Sequence, residues 1–180
     1  MQFYPNRAEL DILHPGPVIV VCGAGIPPPP PELSSSYLNQ MRQIQLLAVE
    51  DNYADVYWLK LMLDRIGCVY ALSVVTDGES AVDYLLRRGR YVDAAKPDLI
   101  LLDLNLPKLN GVEVLRAVPN SRDLPICIMT SSIVERELLR QEFGIEGPSY
   151  LVKPLDADKL LASLRSFDHL KRVAQELSRF

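Results

Sequence analysis

The stretch Leu99-Ile100-Leu101-Leu102-Asp103-Leu104-Asn105-Leu106-Pro107 constrains the fold more than any other part of the chain. Its four leading residues are all apolar and show none of the polar alternation of a half-solvated strand. They fit a strand buried on both faces. Asp103 then lies where that strand leaves the core, and a proline-marked loop begins just beyond it. The carboxyl end of a parallel strand is where open α/β sheets place their ligands. Taken alone, Asp103 serves at least as well as a cap for the following turn.

From Ile44 onward the chain alternates strand and helix. Ile44 to Val49 reads as a buried strand, and Asn52 to Ile66 as a helix. Leu59, Met62, Leu63 and Ile66 recur there at helical spacing before Gly67. Val69 to Val75 is a second strand, followed by Thr76-Asp77-Gly78 and a helix through Arg87. Lys96-Pro97 resets the chain before the strand that ends at Asp103. A short helix from Gly111, a strand Ile126 to Met129 and a helix Ser132 to Phe143 come next. Tyr150 to Val152 is a short strand, and Leu155 opens a final helix expected to continue toward Phe180. Five strands alternating with five helices demand a parallel sheet covered on both faces. The expected architecture is flavodoxin-like, a doubly wound (βα)5 sheet in the order 2-1-3-4-5.

Residues 1–43 differ in character. Five consecutive prolines, Pro27 to Pro31, precede Glu32, Leu33 and three serines, a run suited to a stiff polyproline II spacer. The preceding Val18 to Ile26 resembles the opening of a dinucleotide-binding turn, but lacks the third glycine and runs into prolines where the helix must start. The expected division is a flexible extension over 1–43, a folded domain over 44–166 and a helical extension over 167–180. In the last, Leu170, Val173 and Leu177 share one helical face. That face either packs on its own domain or meets a second copy or partner.

Composition narrows the function classes. The net charge of −4 leaves no basic stripe for nucleic acid. No apolar run is long enough for a membrane span. Three scattered cysteines and two histidines make a zinc site a poor fit. Cys68 and Cys127 lie in apolar runs, as expected of reduced thiols in a cytoplasmic protein.

Other strand ends converge on Asp103. Strand one ends in Val49-Glu50-Asp51, strand four in Thr130, and strand five in Lys153. Singly, Glu50, Asp51 and Thr130 serve as helix caps and Lys153 as a solvated loop residue. Agreement among four strand ends points instead to a built site. Carboxylates packed together repel one another, and a hard cation relieves the repulsion. Oxygen donors with room for water suit Mg²⁺, held by Glu50, Asp51 and Asp103 with the backbone carbonyl of Asn105. Asp103 is then a candidate nucleophile toward a phosphoryl group. Lys153 neutralises the phosphoryl oxygens, and Thr130 donates a hydrogen bond to them.

The acidic pair Glu50-Asp51, Asp103, Pro107, Gly111, Thr130, Tyr150 and Lys153-Pro154, in that order, resemble the receiver domain of two-component response regulators. The phrases Val49-Glu-Asp-Asn-Tyr-Ala-Asp55 and Asp98-Leu-Ile-Leu-Leu-Asp103-Leu-Asn-Leu-Pro-Lys108 more narrowly resemble stand-alone receivers of the phytochrome-associated type. The resemblance implies phosphotransfer from a sensor histidine kinase onto Asp103. It also implies that Ser131 keeps the phosphoryl site accessible beside Thr130. In the phosphorylated state Thr130 moves toward the phosphoryl group and Tyr150 turns inward behind it, altering the face that a downstream protein or phosphotransfer protein reads. A homodimer is a further expectation. Tyr53, Tyr57 and Leu61, four apart along the first helix, form a ridge expected to dock on the kinase's helical phosphotransfer domain. Two other readings compete: an aspartate-nucleophile phosphohydrolase and a receiver-like scaffold that is never phosphorylated. Asn105 tells against the hydrolase, because an amide two residues after the nucleophile cannot protonate a leaving group.

Overall fold

A computed structural model of the chain describes residues 20–22, 43–130, 135–145 and 149–171. Six strands form one sheet: β1 (Val20–Cys22), β2 (Ile44–Val49), β3 (Tyr70–Val75), β4 (Leu99–Asp103), β5 (Ile126–Thr130) and β6 (Tyr150–Val152). Their spatial order is β1-β3-β2-β4-β5-β6. The pairings from β3 through β6 are all parallel, so these five strands carry the expected 2-1-3-4-5 order. The helices between them are α1 (Tyr53–Arg65), α2 (Gly78–Leu85), α3 (Gly111–Ala117), α4 (Glu135–Phe143) and α5 (Ala157–Ser166).

Alternation along the strands divides the core into two layers. Leu46, Ala48, Leu99, Leu101, Cys127, Met129 and Leu151 pack with Leu59, Met62 and Leu63 of α1 and Leu160 and Leu164 of α5. Leu47, Val49, Ile100, Leu102, Ile126, Ile128 and Tyr150 pack on the other face with residues of α2, α3 and α4. All five positions of β4 are buried, as its unbroken apolar run requires.

Helix starts follow local chemistry. The Asn52 side chain caps α1 by accepting from the Ala54 N–H at 3.0 Å, and Asp156 caps α5. Asn110 and Glu113 form a reciprocal capping box on α3. Two glycines draw the loop after β4 tightly into the fold. A Cβ on Gly111 would lie 2.5 Å from the Asp103 carbonyl oxygen, and one on Gly78 would lie 2.0 Å from that of Leu109.

Two features depart from the sequence expectation. Within residues 1–43, Val20–Cys22 pair antiparallel with β3, Val20 opposite Leu72 and Cys22 opposite Tyr70, adding a sixth strand at the edge. Gln43 is described as well; the other residues of that extension lie outside the described part. The final helix is interrupted after Ser166, where Phe167 takes an extended conformation (ψ 119°), and Lys171, the last described residue, is helical again. The chain turns there, and Leu170 is buried in the layer beneath α1 and α5. Its packing is therefore on its own domain; Val173 and Leu177 lie outside the described residues.

Candidate functional site

Pleating decides which strand-end residues meet. In β2 the even positions Leu46 and Ala48 face α1 and α5, and Glu50 continues that parity. In β4 the odd positions Leu99 and Leu101 face the same way and lead to Asp103; in β6, Leu151 leads to Lys153. Three strands therefore deliver a glutamate, an aspartate and a lysine to one side of the sheet. Lys153 Nζ donates to Asp103 Oδ2 at 2.5 Å, to Glu50 Oε2 at 2.7 Å and to Asp55 Oδ2 at 2.9 Å. The peptide bond that follows, Lys153-Pro154, is cis.

The carboxylates are held from their other sides by backbone. Asn52 N–H donates to Glu50 Oε1 at 3.1 Å, and Asn105 N–H donates to Asp103 Oδ1 at 3.0 Å. Such pairing is necessary. Glu50 is only 1 % exposed and Asp103 5 %, and an unpaired buried carboxylate costs several kcal/mol. Burial, reinforced by the charge of Asp103, still pushes the Glu50 carboxyl up to about 7, against the downward pull of its bond to Lys153. Burial acts to lower the Lys153 pKa, but the three carboxylates around the ammonium outweigh it and hold the group above its ordinary value.

Because Asn52 caps α1, neither Glu50 nor Asp51 is needed for that role. Asp51 is exposed, and one carboxylate oxygen each from Glu50, Asp51 and Asp103 lie within 4.8 Å of one another. An all-oxygen set with one member open to solvent matches the donor chemistry of a small hard divalent cation that keeps several waters. The raised Glu50 pKa comes first from burial and only then from the Asp103 charge, and a cation bound at the cluster would favour the ionised carboxylate. The Asn105 backbone N–H is engaged with Asp103.

Thr130 and Tyr150 fall on the opposite face. Thr130 is 1 % exposed and continues the parity of Ile126 and Ile128, while Tyr150 stands in register with Ile128. The Thr130 carbonyl accepts from Lys153 N–H at 3.0 Å, tying this strand end to the loop that carries the ammonium. Tyr150 is already buried, its hydroxyl donating to the Ile145 carbonyl at 2.8 Å. The expected inward turn thus starts from a side chain that lies inside in this conformation. Ser131 lies outside the described residues.

Tyr53, Tyr57 and Leu61 are all exposed on α1, as the ridge expectation requires, and Trp58 joins them. Two contributors to the site were missed in the sequence. Asp55 reaches Lys153 from the first turn of α1, and the Trp58 indole N–H donates to the Leu155 carbonyl at 2.9 Å. The available signal was their position: an acid one turn after the acidic pair, and the chain's single tryptophan three residues further on. Among the described residues no helix is long and apolar enough to cross a membrane.

Residues 46–165 match the family model for the response regulator receiver domain. The chain is 33 % identical over 128 residues to response regulator Rcp1 of Synechocystis sp., covering 68 % of this chain and 86 % of Rcp1. The Mn²⁺-bound form of Rcp1 superposes with a TM-score of 0.57 at 31 % identity, covering 69 % of this chain and 93 % of that one. The bacteriophytochrome response regulator RtBRR matches with a TM-score of 0.61 at 30 % identity, over 77 % of this chain and 95 % of its own. The phosphorylated cyanobacterial phytochrome response regulator RcpA matches with a TM-score of 0.55 at 31 % identity, over 73 % and 91 %. With a charged cluster assembled at the carboxyl ends of the central strands and a family match over two-thirds of its length, this chain belongs to the response regulator receiver domain family.

Proposed function

We propose that Asp103 is the phosphoacceptor of this receiver and that the reaction depends on Mg²⁺ held by Glu50, Asp51 and Asp103. The observation that carries the reading is the 2.5 Å contact of Lys153 with a buried Asp103 whose second oxygen is fixed by the Asn105 N–H. A carboxylate so held is oriented for in-line attack, and the ammonium already beside it can move onto a phosphoryl oxygen. In transfer from a kinase phosphohistidine, an Asp103 oxygen forms the new O–P bond as the P–N bond breaks. The bonding pair stays on the departing imidazole. Mg²⁺ held by Glu50, Asp51 and Asp103 would supply positive charge to offset the negative charge gathered at the site. Thr130 donates to the phosphoryl group and Tyr150 follows it, and Ser131, next in sequence, is the small residue that leaves the phosphoryl group accessible.

The same residues support single-use phosphorylation over turnover. Position 105 offers an exposed amide and no acid to protonate a leaving group. The exposed Tyr53, Tyr57 and Leu61 suit a helical kinase domain approaching α1, while the Tyr150 face suits a downstream protein or a second copy. Buried reduced thiols at Cys68 and Cys127 accord with a reducing, cytoplasmic setting.

Incubation with acetyl phosphate and Mg²⁺, read by intact mass, tests the central claim. Wild type is expected to gain one phosphoryl group and Asp103→Asn none. A wild type that takes no adduct at any Mg²⁺ concentration refutes it. Tyr57→Ala is expected to slow transfer from any histidine kinase that phosphorylates the wild type, with acetyl phosphate labelling unchanged. Equal kinase transfer rates would remove the ridge from the docking surface.

A further inference from the structure

Helix α1 grips the loop carrying Lys153 at two points. Asp55 accepts from Lys153 Nζ at 2.9 Å, and Trp58 donates to the Leu155 carbonyl at 2.9 Å. Residues three apart are neighbours on a helix surface, so one patch of α1 holds the loop on either side of Pro154. Asn52 adds to the grip, its Nδ2 donating to Asp55 Oδ2 at 3.3 Å.

The three carboxylates around Lys153 are not equivalent. Glu50 and Asp103 belong to the cluster whose oxygens can share a divalent cation; Asp55 does not. A cation entering that cluster draws on Glu50 and Asp103, the partners that otherwise hold the ammonium. Asp55 is the partner left to Lys153. It is also the most accessible of the three, its side chain 34 % exposed against 1 % for Glu50 and 7 % for Asp103.

We propose that Asp55 is a positioning residue for phosphorylation of Asp103: it retains the Lys153 ammonium when the cation loads and presents it to the incoming phosphoryl group. This rests on the phosphoacceptor reading above. A long, flexible lysine loses geometric definition when two of three partners turn elsewhere, and a carboxylate on a rigid helix turn restores it at low entropic cost. The competing role for Asp55 is that of a first-turn acid interacting with the dipole of α1. That role affects helix stability and predicts no change in the chemical step.

The experiment follows wild type, Asp55→Asn and Asp55→Glu with acetyl phosphate at saturating Mg²⁺, reading adduct formation by intact mass. The Mg²⁺ dissociation constant is measured in parallel by NMR titration, and thermal unfolding alongside it. Asp55→Asn is expected to slow adduct formation about tenfold while the Mg²⁺ dissociation constant moves by less than about threefold, and Asp55→Glu is expected to recover part of the rate. An unchanged rate in Asp55→Asn overturns the proposal. So does a rate loss matched by an equal loss of Mg²⁺ affinity, which would make Asp55 part of the metal site. A loss explained by partial unfolding at the assay temperature leaves only the dipole role and also overturns it. If wild type itself takes no adduct, the phosphoacceptor reading falls first, and the two failures are thereby told apart.

Discussion

The face of the sheet beneath α1 and α5 ends in Glu50, Asp103 and Lys153, whereas the face beneath α2, α3 and α4 ends in Thr130 and carries Tyr150. Below those ends the two layers are much alike, each filled with buried aliphatic residues from the same strands. What separates them is the parity of the last residue on each strand. On one face a charged cluster is locked by three short bonds to a single ammonium. On the other, a buried threonine and a buried tyrosine lie on adjacent strands, the tyrosine hydroxyl donating to the neutral Ile145 carbonyl. The comparison teaches a division of labour. On the function proposed above, chemistry belongs to the face where charge is concentrated and offset, and response to the face where a hydroxyl and a ring shift at small electrostatic cost.

Removing the ammonium from the charged face is expected to have the largest effect. Lys153→Met leaves Glu50 and Asp103 buried without their counter-charge, at a cost of about 3 kcal/mol. Urea unfolding with and without Mg²⁺ checks this. Addition of Mg²⁺ is expected to return much of the loss, because a cation in the carboxylate cluster replaces the missing charge. A Lys153→Met protein as stable as wild type in metal-free buffer would mean that the cluster is relieved by water instead.

The two layers also differ in their response to alkali. Cys68 and Cys127 both lie beneath α1 and α5. Burial pushes both thiols up to about 12 from an ordinary value of 9.0. The folded state therefore keeps protons that the unfolded chain releases above pH 9. The stability that these thiols contribute is complete below pH 9 and is lost as pH rises toward 12, by about 1.4 kcal/mol per thiol per pH unit. The stability difference between wild type and a Cys68→Ala/Cys127→Ala variant, measured from pH 8 to 11, is expected to shrink above pH 9. A constant difference would show that the layer is open to solvent.

The smallest expected effect belongs to the second face. Tyr150→Phe deletes the bond to the Ile145 carbonyl while keeping the ring, at about 1 kcal/mol. Labelling by acetyl phosphate is expected to proceed at the wild-type rate. A slowed rate would mean that the two faces are coupled in the chemical step itself, and the division of labour would need redrawing.

The alternation of elements, the buried character of β4 and the placement of Glu50, Asp103 and Lys153 at strand ends could all be read from the chain. Each depends on local signals: apolar periodicity, glycine and proline punctuation, and capping residues. Asp55 was harder to read. An acid in a first helical turn is ordinary, and its partner lies 98 residues away in the chain. Trp58 was hidden for the same reason, since nothing near it in sequence announces that its indole will meet the Leu155 carbonyl. The break after Ser166 was not legible because helical spacing persists through Phe167 to Leu177, while the burial of Leu170 favours a turn back onto the core.

By itself, then, the sequence determined the strand and helix alternation, the parallel sheet and the residue types that arrive at its carboxyl edge, because these follow from period-two and period-3.6 patterns within a few residues. Only the tertiary structure decided which of those residues share a face, that α1 supplies a fourth carboxylate and holds the Lys153 loop, and that Val20–Cys22 close the β3 edge. Those outcomes depend on register and packing between segments far apart in the chain. There the free energy comes from pairing charges and burying surface across the sheet, and local propensity carries no record of it.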